Sequence, residues 1–235
     1  MCLPPLVDDA SSLDGGVETL LRERFTCRAF VPTPVRPAVI ERILLLAQRA
    51  PSWCNTQPWQ VEVCSGSATA RFRRALLEHV ERAGEGAAFD FDPPSTYTGL
   101  HRRRRSESGW QLYDAVGVRR GDREASSRQA ARNFEFFGAP HVAIVTTPAE
   151  LGAYGALDAG VYLSTFLLAA QANGVATAPQ AALARFAPFV RDYFGIGHDR
   201  KVVYGVSFGY ADEQHPANSY RTGRAALSET VRFHS

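Results

Sequence analysis

The chain has 235 residues, is 45% hydrophobic and 21% charged, and carries a net charge of +2. That composition can bury a sizeable core and argues against a disordered chain, while so small a net charge argues against nucleic-acid binding through bulk electrostatics. Lys201 is the only lysine, which leaves little room for Schiff-base or lysine-nucleophile chemistry. Cys2, Cys27, Cys54 and Cys64 lack paired spacing and a histidine cluster, so the expectation is reduced thiols in a cytoplasmic setting rather than a zinc site. The start, Met1-Cys2-Leu3-Pro4-Pro5, lacks the basic and apolar runs of a signal peptide, and no segment reaches about 18 uninterrupted apolar residues, so no membrane span is expected.

In chain order, Leu13 to Glu23 reads as a short helix with Val17, Leu20 and Leu21 on one face. It runs into Arg24-Phe25-Thr26-Cys27-Arg28. Two guanidiniums and a hydroxyl there fit a solvated helix end or a phosphate clamp equally well. Pro37 suits a first helical position, and Ile40, Ile43, Leu44 and Ala47 form an apolar stripe that Pro51 ends. After Ser52-Trp53-Cys54-Asn55-Thr56-Gln57-Pro58, Trp59 to Cys64 alternates as a half-buried strand. Ala68 to Ala83 is helical with an arginine-rich face. Residues 84–122 are weakly periodic and hold Pro93-Pro94, aromatic residues and the run His101-Arg102-Arg103-Arg104-Arg105, the composition of a lid or a disordered insertion.

Glu124 to Phe137 reads as helix and His141 to Thr146 as a buried strand. Leu151 to Asn173 is apolar on nearly every side apart from Asp158 and Gln171, the pattern of a helix buried all round. A brief strand, Val175 to Ala178, precedes Pro179-Gln180-Ala181-Ala182, followed by a helix from Phe186 to Phe194 and a strand from Val202 to Phe208. From Gly209 onward the tail has too little pattern to bury itself and must lie over another surface. Gly205-Val206-Ser207-Phe208-Gly209 matches a nucleophile elbow, but Pro216 follows where the elbow needs a helix, and small residues in a buried strand explain it better.

Taken together, Arg24-x-Thr26-x-Arg28, the segment Ala50-Pro51-Ser52-x-x-Asn55-x-Gln57-Pro58-Trp59, the Ala-rich helix, Pro179-Gln180-Ala181-Ala182 and the tail arginines Arg221 and Arg224 resemble the FMN-dependent nitroreductase family, its long-lid branch in particular. The resemblance implies a single α+β domain over 1–235 with a mixed central sheet flanked by helices, 84–122 as a lid, and 210–235 as a tail embracing the partner of an intertwined homodimer. It implies that Arg24, Phe25, Thr26, Arg28, Arg221 and Arg224 hold the FMN phosphate, and that Pro51, Ser52, Trp53 and Asn55 reach the flavin from the other subunit. Pro179, Gln180, Ala181 and Ala182 would line the flavin edge, with the Ala181 backbone N–H at N5, and Arg132 is the candidate cation near N1. The cofactor carries the chemistry, so no side chain is assigned as catalytic. NAD(P)H would donate hydride and leave before a flat, electron-poor nitroaromatic or quinone enters, selected by Trp53, Tyr97, Trp110 and Tyr113. The same fold would also serve a flavin destructase, a reductive dehalogenase or a flavin store without turnover.

Overall fold

Four stretches of β-branched and small apolar residues become the strands of one sheet: β1 (Gln60–Ser65), β2 (His141–Pro148), β3 (Ala176–Gln180) and β4 (Arg200–Gly209). The computed structural model describes residues 16–84 and 86–234. Among the described residues the sheet order is β1-β2-β4-β3 and every strand pair is antiparallel; Thr26 adds an isolated parallel bridge to Thr177 on β3. Side chains alternate along the central β2: Val142 and Ile144 enter one core, Ala143 and Val145 the other. On β4, Val202 and Tyr204 would share a face in a regular strand. A bulge opposite Val145/Thr146 inserts Val203 and sends them to opposite cores.

Helices α3 (Ser67–Ala83) and α7 (Ala187–Phe194) cover one face, where Phe72, Leu76, Phe136 and Val190 pack. Helices α2 (Pro37–Ala47) and α6 (Gly152–Ala172) cover the other, with Ile43, Tyr162 and Phe166, and Trp59 stacked on Tyr162 at 5.0 Å. Of the expected first helix, α1 (Gly16–Glu23) is seen, while 13–15, like Cys2, lie outside the described residues.

Three elements depart from the sequence reading. The expected all-round burial of α6 gives way to a stripe of Ala153, Tyr154, Leu157, Gly160 and Ser164 that remains exposed. With its preceding turn the helix is long and apolar enough to cross a membrane, yet its opposite side packs on β2, β3 and α2. Inside 84–122, α4 (Gly99–Ala115) is a regular 17-residue helix. It buries no residue completely, so it has no apolar stripe to betray its period, and Arg, Leu and Gln favour it locally. Finally α5 (Arg123–Ala131) stops six residues early and gives way to turns over 132–135, after which Phe136 and Phe137 adopt left-handed φ of 58° and 52° and sink into the core.

Ser207 is fully buried within β4 and donates its hydroxyl to Gln180 Oε1, so no nucleophile elbow exists there. His141 is a core residue too. Its Nε2 accepts the Val35 N–H at 2.9 Å, its Nδ1 meets Ser65 Oγ at 2.8 Å, and its ring lies on Phe208. Burial lowers its pKa below the ordinary 6.5. Below about pH 6.5 the unfolded chain therefore binds a proton that the folded imidazole refuses, and stability falls as pH drops, with a slope approaching 1.4 kcal/mol per unit. Denaturant titrations at pH 7.5, 6.0 and 5.0 should show this loss, and His141→Gln, weaker overall, should flatten it.

Candidate active site

The segment Arg24–Val31 is stitched between two elements. On one side Cys27 N–H donates to Thr177 O on β3 at 2.9 Å. On the other, Val31 N–H donates to Tyr210 O, and Arg28 N–H donates to Asn218 Oδ1 at 2.8 Å. Asn218 is 4% exposed and also donates to Ala29 O and Asp212 O, so one amide pins the tail against this segment. Its neighbours Tyr220, Arg221 and Arg224 are thereby folded back toward Arg24 and Arg28.

The result is a cavity of about 380 Å³ lined by Arg22, Arg24, Phe25, Thr26, Arg28, Ser108, Tyr220, Arg221 and Arg224 among others, with no aspartate or glutamate among its described lining residues. Arg221 lies over the Phe25 ring at 3.8 Å, and Arg28 Nη1 donates to Tyr220 Oη at 3.0 Å. Burial first, then the nearby Arg224 charge, push the Arg24 guanidinium below its ordinary pKa. Arg22 is paired with Glu18 at 3.5 Å, whereas Arg24, Arg28, Arg221 and Arg224 face no carboxylate among the described lining residues; cations so crowded are unfavourable by themselves and become favourable around an anion. The donor set is guanidinium forks with one threonine hydroxyl, which fits a dianionic phosphate ester. Cys27, at the back of this wall, is a buried thiol pushed up to about 11, chiefly by burial, and so is packing rather than a nucleophile.

Pro51, Ser52, Trp53 and Asn55 are not brought to this cavity. They form an exposed loop on the α6 side that is nonetheless tightly held. Cys54, Asn55 and Gln57 all adopt left-handed φ, at 50°, 55° and 47°. For residues other than glycine such φ is uncommon and persists only when surroundings enforce it. Ser52 Oγ accepts the Gln57 N–H at 2.9 Å, Gln57 Nε2 donates to Asn55 Oδ1, and both Asp158 oxygens accept the Trp53 N–H at 3.1 and 3.2 Å. Asp158 is 5% exposed, whereas the Trp53 ring is 63% exposed and rests on Tyr154 at 5.4 Å. Asp158 was visible in the sequence as the lone acid of an apolar helix, without a role attached to it. Asp158→Ala should cost about 1–3 kcal/mol, the penalty for leaving the Trp53 N–H unpaired, while Asp158→Asn should lose less than half of that. Urea unfolding together with Trp53 fluorescence would check both.

At the far end of β3, Pro179 sits in the strand, and the buried Gln180 side chain is clamped, donating to Asn133 O at 2.8 Å and accepting from Ser207. Gln180 can therefore offer a ligand only its backbone. Ala181 follows it and is exposed, with Ala182 half-buried. Arg132 adjoins this turn through Asn133, and its nearest acid is Glu135 at 3.8 Å. Thr177 and Ala181 are four residue steps apart along β3 and its end, roughly 13 Å, between the bridge to the arginine segment and this turn. Of the aromatic residues expected to select substrate, Tyr97 lies under Arg105 and Trp110 packs on Tyr113 and Arg120, none of them among the residues lining the arginine cavity. Ser108 is the residue of α4 that does.

The nitroreductase-family sequence model matches residues 21–210. The chain is 39% identical over 230 residues to nitroreductase NfnB of Mycolicibacterium smegmatis, covering 97% of this chain and 95% of that protein. It is 33% identical over 217 residues to a 4-nitrobenzoate reductase of Pseudomonas putida, covering 92% and 94%. Among solved structures, the FMN-dependent nitroreductase NfnB of Mycobacterium smegmatis in complex with NADPH superposes with a TM-score of 0.87, covering 93% of this chain and 97% of that one at 39% identity. The FMN- and NADPH-dependent NfnB from Sphigopyxis sp. strain HMH gives 0.89 at 31% identity, covering 93% and 98%. On the match across the chain and on the shared fold, this protein belongs to the nitroreductase family.

Proposed function

We propose that the chain is an FMN-dependent oxidoreductase that takes hydride from NAD(P)H, with NADPH the principal donor, and reduces nitroaromatic or quinone-like acceptors. The observation that carries this reading is the arginine cavity at the edge of β3, with no carboxylate among its described lining residues. It is a phosphate anchor one strand-length from an exposed backbone turn at Ala181. NfnB of M. smegmatis binds NADPH and is FMN-dependent, which supports the same pair of ligands here.

Bound FMN would supply hydride acceptance and release at its N5. This chain's residues hold it in place. Arg24, Arg28, Arg221 and Arg224, with Thr26, anchor the phosphate, and the aromatic floor of Phe25 keeps Arg221 oriented. The clamped Gln180 fixes the turn from Pro179 to Ala182, so that the Ala181 N–H would be the donor offered to the flavin's reacting edge without introducing a competing acid. Arg132 supplies positive charge on the N1 side. Donor and acceptor would be taken in turn, which predicts ping-pong kinetics.

The loop of Pro51, Ser52, Trp53 and Asn55 completes the site from a second copy of the chain. Val17, Leu21, Leu45, Leu46, Trp53, Tyr154 and Leu157 are all more than 40% exposed, on α1, α2, α6 and the loop. Helix α6 packs against both α1 and α2, so the elements carrying these side chains are neighbours. So much exposed apolar surface fits a subunit interface, and burying the exposed part of each such side chain contributes about 1–2 kcal/mol. The tail, expected to embrace the partner, is instead held to its own chain by Asn218 and by the Glu229–Arg104 pair, and α4 in the segment 84–122 acts as a lid over the cavity. The setting is cytoplasmic, where the free thiols Cys27, Cys54 and Cys64 stay reduced.

Anaerobic mixing of FMN-loaded protein with NADPH tests the reading. Bleaching of the flavin band, recovered on adding 4-nitrobenzoate or menadione with the cofactor intact, is the expected result. Bleaching without recovery would leave only a flavin store, and destruction of the cofactor in air would indicate a destructase.

A further inference from the structure

The arginine run on α4 is not used by the phosphate anchor, and the structure gives it a surface of its own. Arg103, Arg104, Glu107, Ser108 and Gln111 follow helical spacing and form one wall of a second cavity, of about 930 Å³. The opposite wall is the tail, Thr222 to Ala225 with Glu229 and Thr230 of α8 (Leu227–Thr230). Ser108, Thr222 and Arg224 line both cavities, so the larger one opens directly onto the phosphate anchor. Its two acids are both engaged: Glu229 with Arg104 at 3.1 Å, and Glu107 with Arg103 at 3.7 Å. Arg105 turns instead to the Tyr97 ring.

We propose that Arg103 and Arg104 form the subsite for the 2′-phosphate of NADPH, and that Glu229 occupies it in the absence of dinucleotide. The proposal rests on the reading of the chain as an NADPH-using flavoenzyme and deepens it. The size of the cavity suits the adenosine half of a dinucleotide better than one aromatic ring. Both ion pairs are exposed enough that each contributes little, whereas a dianionic phosphate accepts bidentate bonds from guanidinium forks and displaces a single carboxylate. Glu229 Oε1 accepts the Ala226 N–H, so α8 keeps its cap when Oε2 releases Arg104. Such a site distinguishes NADPH from NADH, which is identical except for that phosphate.

The test compares wild type, Arg103→Ala/Arg104→Ala and Glu229→Gln as FMN-loaded proteins, with both donors and with calorimetric binding of adenosine 2′,5′-bisphosphate. In the double variant the ratio of kcat/KM for NADPH to that for NADH should fall about 10- to 100-fold through KM, and the bisphosphate should bind weaker by a similar factor. Glu229→Gln should tighten bisphosphate binding several-fold. Equal losses with the two donors would mean the arginines hold the pyrophosphate or only the lid, and would overturn the proposal. An unchanged NADPH preference with a raised KM for 4-nitrobenzoate would overturn it in favour of an acceptor carboxylate. Wild type that takes up no FMN fails the underlying reading; loaded wild type with an unselective double variant fails this proposal alone.

Discussion

Arg24→Ala is expected to weaken FMN binding by about 10- to 100-fold while leaving the cofactor-free protein no less stable. A hydrogen bond to a charged group contributes about 1.5–3 kcal/mol, and each 1.4 kcal/mol is a factor of ten in affinity. Arg24 is half-buried, as is Arg28, and burial and Arg224 already oppose its charge. Removing it relieves repulsion in the empty protein and removes attraction in the loaded one. The two effects have opposite signs, which separates a ligand-holding arginine from a structural one. A structural arginine would lower the melting temperature of the cofactor-free protein together with the affinity. Fluorescence titration of FMN and thermal unfolding of stripped protein measure the two quantities independently.

Leu157→Arg should have a larger effect: dissociation of the homodimer and loss of nearly all FMN. Leu157 is 63% exposed on α6, one turn from Tyr154 and close to the loop that Asp158 holds. An arginine at the centre of an apolar interface must be desolvated twice, once in each subunit, at a cost of several kcal/mol. Since its side chain lies outside both cores in the isolated fold, the subunit itself should remain folded. Sedimentation should report a monomer with native circular dichroism and no flavin absorbance. A dimer that keeps its flavin would move the interface to another face.

The parts of this architecture written in local chemistry could be read before the structure. Pro37 opens and Pro51 follows α2, alternation marks β1, and the small-residue run of Gly205 to Gly209 lies in a buried strand. Gly205 is required there because a Cβ would come within 2.5 Å of Leu183 Cδ1. The arginine pair Arg24 and Arg28 was equally consistent with a solvated helix end and a phosphate clamp. What separates the two is Asn218, 190 residues along from Arg28, which folds the tail arginines back beside them. Contacts of that range leave no periodic trace. The same holds for Asp158, whose partner is a backbone N–H more than a hundred residues away, and for the left-handed residues around Asn55, whose strain is imposed by those contacts. Helix α4 escaped detection for the opposite reason: local propensity forms it, and no burial marks its face.

The stripe on α6 joins the two halves of the account. It is apolar on the side facing the sheet because the core lies there, and apolar on the far side because another subunit is proposed to lie there. A helix with two such faces looks uniformly buried when read residue by residue. Its exposed half is the surface that would bring Ser52 and Asn55 of one chain toward the arginines of the other.

Trans-complementation tests that arrangement most directly. Arg24→Ala/Arg28→Ala in one copy and Ser52→Ala/Asn55→Ala in a second, differently tagged copy are co-expressed, and flavin content is measured in the doubly purified heterodimer. If each site takes arginines from one chain and the loop from the other, one of the two sites per heterodimer is intact, so about half of the wild-type flavin is recovered although neither parent homodimer retains it. A heterodimer as colourless as its parents would show that each site is built within a single chain, and would contradict the account.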